Sequence, residues 1–211
     1  MPLPPIDPEL KRDFEGLSND VTVLSWKWQI LRTLFGTQEH LELLDKTAPN
    51  FFWVCERTLE DEIISSICRL TDSPKSRGHV NLIISRLKDE TIRQKEPDFF
   101  RRLELLIGDV DLACVPFKEH RKKRLAHSDR ETRLNLTPSV LPILAIDEYT
   151  KAVESLQKVI NEFSIHFFES ENSFEVVERR GVKSLLWYLR KGLDSSNAER
   201  DALIAQFSPK K

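Results

Sequence analysis

Arg121 and His127 are the two residues whose types and spacing most resemble chemistry, in the stretch Lys118-Glu-His-Arg-Lys-Lys-Arg-Leu-Ala-His-Ser-Asp129. An arginine and a histidine near one end of a basic helix supply two things that RNA cleavage requires. The imidazole, with an ordinary pKa of about 6.5, moves a proton to or from a ribose 2′-hydroxyl or a leaving 5′-oxygen. The guanidinium fork matches phosphate geometry and stabilises the charge that builds on the phosphorus oxygens. No metal or other cofactor is needed for that chemistry. Residues six apart do not stack on a helix, so either the helix ends before His127 or a second copy completes the pair.

By spacing alone this signal is loose. Lys118, Arg121, Lys122, Lys123, Arg124, Arg130 and Arg133 stand against Glu119, Asp129 and Glu131, and such a run is also what a solvated helix face looks like. In that reading Arg121 and His127 simply pair with local carboxylates such as Glu119 or Asp129. The net charge of −2 excludes a generic nucleic-acid coat and leaves room for local phosphate binding.

Other chemistries are missing from the sequence. There is no phosphate-binding glycine loop, no G-x-S-x-G elbow and no H-E-x-x-H. His40, His79 and His166 are solitary, and no Glu-x-x-His pair supports a helical di-metal site, so no metal site is expected. Cys55, Cys68 and Cys114 form no C-x-x-C pair and fall on apolar helical faces, as core thiols in a reducing, cytoplasmic setting do. No window is apolar and long enough to span a bilayer, and no secretory signal opens the chain.

The elements that must position the pair are helices. Glycines number only 6, and apolar residues recur at helical spacing. The pattern predicts an all-α chain: a proline-rich tail over 1–18, a helical bundle over 19–170 and a C-terminal helical extension over 171–211 that packs on it. Within the bundle, helices are expected from Asn19 or Asp20 to about Lys46, from Phe51 to Leu70, around Val80 to Leu87, from Asp98 onward, and from Asp147 to Phe168. Pro116 should restart the chain into a short helix, Phe117 to about Ala126. Thr71–Gly78 and Asp89–Pro97 read as connections, and Arg130–Ile146 as irregular. Two further helical pieces, Val182–Leu193 and Asn197–Phe207, close the chain. Trp26, Trp28, Phe52, Trp53 and Trp187 read as core or interface.

The segment Arg121–Asp129 resembles the R-x(4–6)-H signature of the HEPN superfamily, small helical proteins, and its Ala-His-Ser-Asp continuation is most similar to the abortive-infection type U branch. Ile67-Cys-Arg-Leu-Thr-Asp72, the Ser-Pro-Lys loop, Asn81-Leu-Ile-Ile-Ser-Arg-Leu87 and Ser184-Leu-Leu-Trp-Tyr-Leu-Arg190 are similar to passages of the same branch. The resemblance implies a HEPN-like bundle with additional C-terminal helices. It implies Arg121 and His127 as the catalytic pair of a metal-independent endoribonuclease, a toxin or antiphage effector. Lys118, Lys122, Lys123, Arg124, Ser128, Asp129 and Arg130 would then contact the RNA. It further implies a homodimer in which two motifs face each other across one composite cleft, and an antitoxin or sensor protein as a further partner. The family commonly has Asn, Asp or His where this chain has Lys122. A second HEPN branch, modified on a tyrosine two places after the histidine, does not fit, because Asp129 stands there. The alternative function is a non-catalytic HEPN-like dimer that binds RNA, a nucleotide or a protein partner.

Overall fold

A computed structural model describes residues 6–76, 78–126, 143–175 and 181–207. His127, Ser128, Asp129 and Arg130 lie outside the described residues, as does most of the segment expected to be irregular. Among the described residues the chain is all-helical but for one minimal hairpin. Its helices are α1 (Pro8–Phe35), α2 (Gln38–Thr47), α3 (Pro49–Leu70), α4 (Glu90–Lys95), α5 (Pro97–Ala113), α6 (Val115–His120), α7 (Ile146–Phe168) and α8 (Val182–Phe207). The hairpin pairs β1 (Lys75–Ser76) with β2 (His79–Val80), antiparallel, and a 3₁₀ turn follows at Ile84–Leu87.

Several boundaries differ from the sequence expectation, each for a local reason. α1 begins at Pro8, within the stretch expected to be a tail. Pro8 opens the helix where its missing N–H costs nothing, and Asp7 Oδ1 accepts from the Glu9 and Leu10 N–H groups at 2.8 and 3.2 Å. The helix expected to run to Lys46 is broken at Gly36. The Thr37 side chain then caps α2 by accepting from His40 N at 3.2 Å. The polar stretch after Asp89 is helical because Asp89 caps it through Thr91 N at 2.8 Å. Val80 lies in β2, exposed, while Ile83, Ile84 and Leu87 are buried around the 3₁₀ turn. The last two helical pieces are one continuous helix, α8.

Two compact units divide the chain: one of Met1–Trp28 with Asp61–Glu175, the other of Gln29–Glu60 with Val176–Lys211. The first holds the larger core. Phe14, Leu17, Val21 and Leu24 of α1 recur every three or four residues and are buried, as are Ile63, Ile64 and Ile67 of α3. Phe14 stacks on Phe163 of α7 with centroids 4.8 Å apart, and Trp28 stacks on Tyr149 at 5.2 Å. The second unit closes around Leu34, Leu43, Leu44, Phe52 and Leu186, so α8 packs through its first half. Trp28 and Phe52 are core, but Trp53 and Trp187 are 63% and 56% exposed. Among the described residues no helix is long and apolar enough to cross a membrane.

Candidate active site

Arg121 is positioned by a single inward stripe. Leu103, Ile107, Val110, Cys114 and Phe117 follow one another at spacings of three and four and are all buried, and Arg121 takes the next place in that sequence. Phe117 is fully buried and meets the Tyr149 ring edge-on at 5.1 Å, which fixes α6 immediately before the arginine. From Arg121 to Ala126 the helix widens into a π turn. Such turns are rare and are found frequently at functional sites.

The end of α3 supplies the partner. Ile63, Ile67 and Leu70 are buried, the Thr71 hydroxyl donates back to the Ile67 carbonyl at 2.9 Å, and the chain leaves the helix at Asp72. Asp72 accepts both arms of the arginine fork: Nη1 donates to Oδ2 at 2.7 Å and Nη2 to Oδ1 at 2.9 Å. The pair is half-buried on both sides. This bidentate geometry holds the guanidinium plane in one orientation, which a lysine could not reproduce. Asp72 holds the Arg121 pKa above its ordinary value, chiefly through these hydrogen bonds, with burial opposing. Arg121 therefore pairs with a carboxylate 49 residues away, not with its neighbour Glu119.

Two buried thiols lie nearby, Cys68 within electrostatic reach of both Arg121 and Asp72 and Cys114 within reach of Cys68. Burial pushes Cys68 up to about 11, with Arg121 acting in the opposite direction, and pushes Cys114 up to about 12. Both stay protonated at neutral pH, so neither is a nucleophile, in keeping with their placement in the core.

The other expected contact residues are placed unevenly. Lys118 reaches Asp111 at 3.8 Å, Lys122 is exposed and Lys123 is half-buried. Arg124 belongs to the π turn. The sequence reading missed Asp72 as a site residue, although it quoted the passage that contains it. It also missed a cleft of about 450 Å³ on whose wall Asp72 stands.

A family model, that of AbiU2 in the HEPN group, matches residues 7–185. The chain belongs to the AbiU2 HEPN family. The match takes in Asp72, Arg121 and the whole stripe that carries them, and it ends inside α8. No curated protein and no solved structure matches the chain. Membership of AbiU2 fits the all-helical fold, and it places the R-x(4–6)-H segment and the Arg69-Leu-Thr-Asp72 passage within one matched span. Those two passages meet in space at the Arg121–Asp72 pair.

Proposed function

We propose that this protein is a metal-independent endoribonuclease that cleaves RNA in its own cell as a toxin or antiphage effector. The observation that carries the reading is the bidentate Asp72 clamp on Arg121, whose carboxylate also lines a nucleotide-sized cleft. An oriented guanidinium beside such a cleft is what stabilisation of a pentacoordinate phosphorus requires. In this reading His127 is the general acid and base, and Arg121 carries the phosphorane charge. Lys118, Lys122, Lys123, Arg124 and Arg130 hold the backbone, while Ser128 and Asp129 flank the histidine. The ribose 2′-hydroxyl attacks, so the products are a cyclic 2′,3′-phosphate and a 5′-hydroxyl. Two copies of the chain share the site across a homodimer interface, and an antitoxin or sensor holds it in check.

One specific observation favours a second reading, a non-catalytic module that binds RNA, a nucleotide or a protein. The Asp72 carboxylate neutralises Arg121 and takes two of its five N–H donors, which leaves the remaining donors for contact but weakens the field the arginine can offer a phosphorane. Incubation with total RNA in EDTA, beside a His127→Ala variant, separates the two. Cleavage that survives chelation and is lost in the variant supports the enzyme. RNA retained intact by both proteins supports the binding module and overturns the enzyme.

A further inference from the structure

The cleft beside Asp72 has two chemically different ends. α1 forms one wall, presenting Asn19 and Asp20 near one end and Lys27 near the other. Seven or eight residues at 1.5 Å each separate them by about 11 Å, a length that takes one nucleoside with its phosphate. At the Lys27 end, Nζ donates to Glu62 Oε1 at 2.8 Å. Arg69 Nη2 donates to the same Glu62 oxygen at 3.0 Å and to Ser66 Oγ at 2.9 Å. One carboxylate thus fixes two cations and leaves that end with a net positive charge.

The opposite end is polar and carries an acid. The Asn81 side-chain amide donates to the Ser73 carbonyl at 2.8 Å, which ties it to the turn that holds Asp72 and leaves its Oδ1 as an acceptor. Asp20 adds a carboxylate there, and Leu82 adds an apolar surface. Leu82 lies so close to α1 that a Cβ on Gly16 would stand 2.8 Å from its Cδ2. Acceptors beside apolar side chains suit the edge and face of a base bearing an exocyclic amine. A volume of about 450 Å³ fits a ligand of nucleotide size.

We infer that this cleft is a nucleotide subsite continuous with Arg121. It takes the residue of single-stranded RNA next to the phosphate that Arg121 serves. The base lies between Asp20 and Leu82, and the far phosphate lies on Lys27 and Arg69. The inference rests on the ribonuclease reading only for its choice of RNA as ligand, and its test does not require cleavage.

The probe is a fluorescent single-stranded RNA decamer with 2′-fluoro groups, which lacks the attacking hydroxyl and reports binding alone. A Lys27→Gln, Arg69→Gln double variant should bind it about tenfold more weakly, with a salt dependence shallower by about 0.7 in log–log slope for the lost phosphate contact. A Lys27→Arg, Arg69→Lys variant, which keeps both charges, should recover most of the affinity. The control, Lys46→Gln with Arg57→Gln, removes the same charge from exposed pairs elsewhere and should leave binding near wild type. Asp20→Asn should change the ranking of 2′-fluoro homopolymers. Equal losses in the cleft and control variants, or no binding by the wild type, would overturn the subsite. Decamer binding with these dependences but no cleavage of natural RNA would leave the subsite standing and reject the ribonuclease.

Discussion

Two charge clusters sit ten residues apart along one stretch of chain, around Glu62 in α3 and around Asp72 just beyond its end, and they are built on opposite plans. At Asp72 one carboxylate meets one arginine through two parallel hydrogen bonds, half-buried at the end of two apolar stripes. At Glu62 one carboxylate is shared by Lys27 and Arg69, and Arg69 is mostly exposed. The first arrangement is neutral and fixes an orientation. The second is net positive and leaves donors turned toward solvent. A one-to-one clamp suits a group that must stand in one place, and a shared anchor suits groups that must receive a phosphate.

The largest effect that bears on this contrast is expected at the clamp. Arg121→Ala should lower the cleavage rate on RNA in EDTA by about 10²–10³-fold, the scale of losing one donor to a developing oxyanion. Arg121→Lys should recover little of it, because a lysine retains the charge without the fork. Recovery to near wild type would mean that charge alone matters there.

Asp72→Asn comes next. With the orienting carboxylate gone, cleavage should fall about tenfold while the affinity for uncleavable RNA does not fall, since Asp72 acts on catalysis through the arginine and its charge opposes RNA in the cleft. The loss in folding stability should be about 1 kcal/mol by urea unfolding, as for a half-exposed pair. A faster Asp72→Asn enzyme would instead identify the clamp as a restraint on Arg121.

The smallest effects belong to Glu62. Glu62→Gln frees Lys27 and Arg69 and should tighten the 2′-fluoro decamer about twofold to threefold, with stability within about 0.5 kcal/mol at neutral pH. Its hydrogen bond from Lys27 is the main influence holding the Glu62 pKa below the ordinary 4.5, with Arg69 adding to it and burial opposing. A carboxylate with a lowered folded pKa contributes stability that is fully present above 4.5 and is lost as pH falls through the lowered value. The variant should therefore show a shallower acid decline than wild type in thermal melts below 4.5.

Much of the fold was legible because its long helices carry strong periodic stripes. Ile63 to Leu70, Leu103 to Val110 and Val153 to Phe163 show the pattern plainly, and those helices lie where the spacing puts them. The errors fell where a single side chain decides, as with the Asp7 cap that starts α1 and the Thr37 cap that restarts the chain after Gly36. Arg121 was legible from its own segment. Its partner was not assigned, because a contact over 49 residues is set by tertiary packing and by no local rule. The cleft was hidden for the same reason, since Lys27 and Arg69 become neighbours only through Glu62.

The π turn that follows Arg121 bears on how the motif tolerates change. A turn wound wider than its neighbours holds a surplus residue, and that surplus can be given up without disturbing Phe117, which anchors the helix from the other side. Loss of one residue between Lys122 and Ala126 would return the backbone to ordinary winding, while the clamp on Arg121 stayed in register with the core. The slack therefore sits just downstream of a fixed point, inside the segment that resembles R-x(4–6)-H.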